Sequence, residues 1–317
     1  MGYYLNTITT LDAYKEIYTE DYFVDKTKLI EEIIPNMSKA STKYMCVTRP
    51  RRFGKTIMAN MLASYFSKGM DSREIFDKLD ISESEEYEKH INKHNVIFID
   101  FSILPEKYTG YDEYIGDILH KLKDDLSQQD QFKAVEYKTS VWDILQKTHQ
   151  KTGEKFIFVL DEWDSMFHNR KFNNTDQRDF LMFLKNLLKS QAYVEFVYMT
   201  GVLPISKYSS GSELNMFVEY NMVTLKKYSE YYGFLEEEVK ELYEKYKKIT
   251  NNAQIEFEEL KNWYNGYYAA TGQRLYNPRS VVLALKNNQI GSYWTSSGPY
   301  DEIFSYIQYN VLEVRED

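Results

Sequence analysis

Four short apolar runs alternate with stretches of helical period, and this alternation constrains the fold more than any other feature. The runs are Tyr44-Met45-Cys46-Val47, Val96-Ile97-Phe98-Ile99, Phe156-Ile157-Phe158-Val159-Leu160 and Val194-Glu195-Phe196-Val197-Tyr198-Met199. Polar residues bound each run, and their length and β-branched or aromatic content predict buried strands. Met222 to Leu225 is a weaker fifth candidate. Between the runs, Ile57, Met58, Met61, Leu62, Tyr65 and Phe66 recur at helical spacing. Tyr111 to Leu126 and Val135 to His149 read as two helices between the second and third strands. Thr175 is the expected cap of a helix from Asp176 to Ser190, with Phe180, Phe183, Leu184 and Leu187 on one face. Strand and helix in alternation imply an α/β fold, a parallel sheet covered by helices.

The pattern changes near residue 228, after which the sequence shows no clear strand. Glu236 to Ile249 and Phe257 to Tyr267 read as charged amphipathic helices. Asn277-Pro278 is a helix start, an N-cap followed by proline in the first turn, and a last helix is expected from Tyr300 to Leu312. The expected division is therefore 1–227 for the α/β core and 228–317 for a helical lid region.

Charge narrows the function classes. The 317 residues carry a net charge of -9, whereas proteins that coat nucleic acid are usually basic, so direct nucleic-acid binding is not expected. The dense positive cluster is local: Arg49, Arg51, Arg52 and Lys55. The one cysteine, Cys46, lies in an apolar run and reads as a buried small hydrophobe, which fits a reducing compartment. The start, MGYYLNTITT, lacks a basic region followed by an apolar core, and no apolar run approaches the ~20 residues of a membrane helix. The expectation is a cytoplasmic chain with no membrane segment.

The positive cluster belongs to TRPRRFGKT, residues 48–56, which ends as a phosphate loop of the pattern G-x-x-x-x-G-K-[ST] ends. Arg49 stands where the first glycine of that pattern belongs, with Pro50 behind it. Proline holds Arg49 extended and has no N–H to give a phosphate, so the cradle is placed on the amides from Arg52 through Phe53, Gly54, Lys55 and Thr56 to Ile57. A helix beginning at the lysine aims free N–H groups at an anion. Lys55 then reaches the outer phosphates and Thr56 holds Mg2+. The Arg49 side chain is expected to pack outside the site or pair with an acid, so that Arg49→Gly costs only roughly 0.5–1 kcal/mol of backbone freedom; a phosphate or adenine contact is the alternative.

Such a site needs a carboxylate at the end of a neighbouring strand. In FIFVLDEWD, Asp161 follows five apolar residues and is the candidate for the Mg2+ shell, with Glu162 as general base. Asp100, at the end of VIFID, is a rival for the metal but has no acid beside it. Thr200 ends the fourth run and either senses a phosphate or only closes a turn. His90 and His94, four apart, read as surface histidines, and the Glu259-Leu260-Lys261 triplet lies in a helical pattern without a partner strand.

These motifs together resemble the bacterial AAA-ATPase-like family. The resemblance runs from YFVDKTKLIEEII (22–34) through TRPRRFGKT, VIFIDFS, FVLDEWD and MTGVLPISKY to LNMF (214–217), and on through WYNGYY, LYNPRSVVLAL and YWTSSGPYDEI. The family loop also has arginine and proline in place of the first glycine. The resemblance implies a P-loop AAA-like ATPase core, ATP and Mg2+ at Gly54, Lys55 and Thr56, and metal and water roles at Asp161 and Glu162, favouring Asp161 over Asp100. Family members often carry a C-terminal nuclease-like domain of the PD-(D/E)xK type. That domain is expected to be absent from this chain, so nuclease activity is not carried over. The expected function is ATP hydrolysis that moves the helical lid to act on a protein partner. The alternative is a nucleotide-binding interaction module that does not hydrolyse. The sequence identifies neither the partner nor an arginine finger among Arg170, Arg178, Arg274 and Arg279, and it allows a homo-oligomer.

Overall fold

The computed structural model describes residues 2–106, 108, 110–128, 140–208, 213–222, 225–269 and 271–293. The elements in chain order are α1 Thr9–Tyr18, α2 Lys28–Ile33, β1 Tyr44–Thr48, α3 Lys55–Phe66, α4 Arg73–Phe76, α5 Tyr87–His90, β2 Asn95–Asp100, α6 Tyr111–Gln128, α7 Val141–Thr152, β3 Phe156–Asp161, α8 Ser165–His168, α9 Asn174–Leu188, β4 Val194–Gly201 and β5 Val218–Tyr220. They continue with α10 Glu236–Ile249, α11 Phe257–Tyr264, β6 Tyr267–Tyr268, β7 Arg274–Leu275 and α12 Pro278–Asn287. All four predicted apolar runs are strands.

β1 to β5 form one sheet in the order β2-β3-β4-β1-β5. β2 pairs with β3 in parallel and in register from Asn95↔Phe156 to Asp100↔Asp161, and β3 pairs with β4 in parallel. Every residue of β3 is buried, as a parallel strand covered on both faces must be. Ile97, Ile99, Phe158, Leu160, Val197 and Met199 of the sheet share one core with the apolar faces of α6, α7 and α9. The chain is an α/β protein with a parallel sheet and helices, followed by a largely helical region.

Two compact units divide the chain. One comprises the chain up to Thr19, Asp25–Val47 and Thr56–Glu219; the other comprises Glu20–Val24, Thr48–Lys55 and the chain from Tyr220 onward. The second has its own core, in which Val239, Leu242 and Tyr246 of α10 meet Leu260 and Tyr264 of α11 and Val281 and Leu285 of α12.

Several local expectations are corrected. The fifth strand is Val218–Tyr220, a few residues before the Met222 to Leu225 candidate, of which residues 223–224 lie outside the described residues. α7 starts at Val141, where the Ser140 hydroxyl accepts the Asp143 amide; of the residues expected to precede it, 135–139 lie outside the described residues. Asn173, not Thr175, caps α9, because its side chain and that of Asp176 form a reciprocal capping box that a threonine two residues later cannot form. α11 ends at Tyr264, and Tyr267–Tyr268 instead pairs antiparallel with Arg274–Leu275, a hairpin too short to leave a period in the sequence. α12 starts as expected, with the Asn277 side chain accepting the Ser280 amide. The expected helix from 300 to 312 lies outside the described residues.

His90 and His94 are not loose surface side chains. His90 ends α5 and His94 precedes β2; Nδ1 of His90 lies 2.9 Å from Nε2 of His94, whose Nδ1 lies 3.0 Å from the Glu195 carboxylate. Burial, and then the neighbouring His94, hold the His90 imidazole below its ordinary pKa.

Candidate functional site

The loop after β1 has backbone geometry that sequence alone does not show. Gly54 has φ 85° and Arg52, which is not a glycine, has φ 74°, so the chain winds through two left-handed residues before α3 begins at Lys55. A Cβ on Gly54 would meet nothing within 4 Å, so glycine is required there for its dihedral and not for space. Phe53 lies between them with its ring buried, packed edge-on against Tyr267 at 4.7 Å in a cluster with Met222, Ala269 and Leu275. Its side chain anchors the loop.

Arg49 proves to be a fully buried strut. Its Nη1 donates to the Thr48 carbonyl at 2.9 Å and to the Tyr220 carbonyl at 2.6 Å, and its guanidinium lies 5.0 Å from the centre of the Tyr232 ring. Lys55 is buried as well, its Nζ donating to the carbonyls of Arg49 at 3.2 Å and Pro50 at 3.5 Å. Arg51, Arg52 and Thr56 are exposed, and Ile57 is half-buried in the first turn of α3. Partial burial, then the charges of Arg279 and Arg51, push the Arg52 guanidinium down from its ordinary pKa. Of the four arginines considered above, Arg279 is the one whose charge bears on Arg52. Arg274 lies over the Tyr268 ring, and Arg178 approaches its neighbour Asp179.

The turn after β3 is built differently. Asp161 ends the strand fully buried and accepts a hydrogen bond from the Thr200 hydroxyl. That same oxygen lies 3.4 Å from the Glu162 amide, and the Trp163 amide donates to the Thr200 carbonyl at 2.9 Å. Thr200 thus joins Asp161 to Glu162, and Glu162, half-buried, stands at φ 49°. Asp100 sits opposite Asp161 in the register, but its Oδ1 accepts from the amide and hydroxyl of Ser102, the work of a carboxylate that closes its own turn.

Two residues here carried no expectation. Asp164, fully buried, accepts the amides of Val202 and Leu203. Gly201 has no room for a side chain, since a Cβ would lie 2.5 Å from Nε1 of the buried Trp163. The only signal in the sequence is the last acid of D-E-W-D and the glycine after Thr200.

Comparison with known proteins agrees with the motifs. The model of the AAA-ATPase-like family, described as predicted AAA-ATPase, matches residues 9–210. A curated relative, "Uncharacterized protein in vnfD 5'region" of Azotobacter chroococcum, is 25% identical over 286 residues, which is 87% of this chain and 51% of the relative. The chain spans about half the length of that protein. Among solved structures, Cdc6p of Pyrobaculum aerophilum is similar at 11% identity and TM-score 0.42, over 83% of this chain and 62% of that one. The Aeropyrum pernix ORC1 protein, solved in complex with DNA, is similar at 13% identity and TM-score 0.42, over 94% and 70%. Likenesses of that size carry no argument about function. No helix among the described residues is long and apolar enough to cross a membrane.

Proposed function

The chain belongs to the AAA-ATPase-like family of predicted AAA-ATPases, and on that premise we propose that it binds ATP with Mg2+ and hydrolyses it. The observation that carries the reading is the loop from Thr48 to Lys55, left-handed at Arg52 and Gly54 and running straight into α3. Successive amides in such a conformation turn to one side and make a concavity for an anion, and the free N–H groups at the start of a helix add to it.

The roles follow residue by residue. The amides from Arg52 through Phe53, Gly54, Lys55 and Thr56 to Ile57 cradle phosphate oxygens. Lys55, a point charge on a flexible stem, moves from the carbonyls of Arg49 and Pro50 to the outer phosphates. The Thr56 hydroxyl and the Asp161 carboxylate hold Mg2+, an ion that keeps several waters and needs few protein oxygens, so this donor set fits it. Bound ATP and its metal supply the phosphoryl group and neutralise the charge that develops on it. Glu162 takes the proton of the attacking water, and Thr200, bonded to Asp161 and near the Glu162 amide, holds the Asp161 carboxylate and the Glu162 backbone in place. Arg279, whose charge already bears on Arg52, adds a cation at the outer phosphate.

We also assign 1–227 as the ATPase core and 228–317 as a helical lid. Two sets of contacts support coupling between the loop and the residues from 220 onward: Arg49 to Tyr220 and Tyr232, and Phe53 to Tyr267 and Leu275. A change of phosphate occupancy at the loop moves those groups first, and through them acts on a protein partner or a second copy of the chain in the cytoplasm. Direct nucleic-acid binding has no part in this reading.

Titration of a fluorescent ATP analogue tests the site: Lys55→Ala should weaken binding tenfold or more, about 1.4 kcal/mol. Steady-state turnover tests the reaction: Glu162→Gln should bind the analogue as wild type does and turn over about 10² times more slowly. Equal affinities for Lys55→Ala and wild type would sink the phosphate loop. Binding without Mg2+-dependent turnover in wild type would leave a nucleotide-binding interaction module.

A further inference from the structure

We propose that Asp164 is a positioning residue, whose buried carboxylate grips the loop leaving β4 and thereby sets Thr200 against Asp161 and Glu162. The inference rests on the ATPase reading for its consequence, but its geometry stands alone. Oδ2 of Asp164 accepts both the Val202 amide and the Leu203 amide, each at 3.0 Å, and the residue is fully buried. Those amides follow Thr200 by two and three positions.

A simpler role for Asp164 is excluded by its own geometry. It stands at the N-cap position of α8, where an aspartate ordinarily accepts an amide of its own helix, yet it makes no such bond. Its carboxylate is turned to the other loop instead. Two N–H groups on one anionic oxygen are charge-assisted hydrogen bonds, roughly twice as strong as neutral ones, and they restrain a segment from two adjacent backbone points.

The same two segments are fastened again further on. Tyr208 stacks on Phe167 with ring centres 4.1 Å apart, and its hydroxyl lies 3.4 Å from Nε2 of His168. That His168 nitrogen is 3.5 Å from the oxygen of Asp164 that takes the two amides. Between the grip and β4, Gly201 lies against the Trp163 indole with no space to shift toward it. Loop 202–208 is therefore held to residues 163–168 at both ends. Thr200, the side chain that ties Asp161 to the Glu162 amide, sits at the root of that loop. Releasing Val202 and Leu203 lets Thr200 move away from the Asp161 carboxylate and the Glu162 amide without touching the phosphate loop.

The test uses the full chain with Asp164→Ala and Asp164→Asn, the second keeping a neutral oxygen that can still accept. We expect kcat to fall about tenfold or more in Asp164→Ala and about threefold in Asp164→Asn, with KM and ATP-analogue affinity within threefold of wild type. Hydrogen exchange at the Val202 and Leu203 amides should quicken in the same order. A merely structural role would lower the melting point without that order or without the split between kcat and KM. Asp164→Ala turning over within twofold of wild type overturns the proposal, as does a loss of kcat with unchanged exchange at 202 and 203. Should the alanine variant not fold, Asp164→Asn decides alone: slower turnover with faster exchange supports the grip, and no change in either refutes it. If wild type shows no turnover, the ATPase reading has failed, and exchange at the two amides still judges the grip.

Discussion

The loop after β1 and the turn after β3 solve one problem in opposite ways. Each follows a buried strand, each holds a non-glycine residue in left-handed backbone, and each is braced by one fully buried charged side chain. Arg49 braces the loop as a cation that donates to carbonyls; Asp164 braces the turn as an anion that accepts amides. The surroundings then diverge. Gly54 faces open space and the nearby arginines are exposed, whereas Gly201 has another side chain where its own would be. The loop keeps open space at its glycine. The turn is already completed by protein, so its geometry is set before any ligand arrives.

The comparison breaks most visibly at Arg49. Arg49→Gly removes charge-assisted bonds to two buried carbonyls, each worth about 1.5–3 kcal/mol, so the variant should lose about 3–6 kcal/mol of stability. That exceeds the small cost expected from the sequence, because the side chain and not the backbone freedom now dominates. Arg49→Lys keeps the charge but not the planar guanidinium whose Nη1 donates to both carbonyls while its face lies over the Tyr232 ring, and should lose about 1–2 kcal/mol. Urea unfolding midpoints measure both. A loss below 1 kcal/mol in Arg49→Gly would mean that the strut carries no weight.

The two glycines sharpen the contrast. Gly201→Ala should cost about 1–3 kcal/mol by overpacking against Trp163, and Gly201→Asn should be worse, since it adds bulk. Gly54→Ala should cost about 1–2 kcal/mol through its dihedral alone, and Gly54→Asn should recover part of it, since asparagine tolerates left-handed backbone. Thermal melts of the four variants check the crossing order. Asparagine faring no better than alanine at position 54 would show that space and not φ governs there.

These two glycines also mark how much was legible. Strand positions, the start of α3 and the Asp161-Glu162 pair follow from local pattern, because apolar runs and helix starts are properties of neighbouring residues. The brace at Arg49 was not legible, since its acceptor, Tyr220, lies 171 residues away. Nor was Asp164, whose two amides lie 38 and 39 residues on. A three-residue β5 and the two-residue strands of the hairpin are too short to show a period, and Asn173 outcompeted Thr175 through a reciprocal bond that a single cap residue does not announce.

A smaller effect separates the exposed side of the loop from its brace. Arg279→Ala removes a cation that bears on Arg52 and leaves the core of the helical unit intact, so stability should hold while ATP-analogue affinity falls about tenfold, near 1.4 kcal/mol. The loss should shrink at high salt, because exposed charges are screened. Affinity unchanged at low salt would remove Arg279 from the phosphate site and leave the loop to Lys55 and its amides.

The smallest effect has the opposite sign. Arg52 and Glu162 hold left-handed backbone without being glycine, at φ 74° and φ 49°. Such a conformation costs an L-residue roughly 1–2 kcal/mol, while glycine adopts it freely and adds roughly 0.5–1 kcal/mol of chain entropy to the unfolded state. Arg52→Gly and Glu162→Gly should therefore each raise stability by up to about 1 kcal/mol. Strain kept at a position that glycine would relieve points to a side chain needed there for something other than folding. The two sites should then part in function. Arg52→Gly keeps the amide cradle and should bind the ATP analogue within about tenfold of wild type, whereas Glu162→Gly should bind normally and turn over about 10² times more slowly. Melts paired with turnover decide it. A variant that loses stability would show that its side chain is a structural contact, and at position 162 an unchanged rate would take the general base away from Glu162.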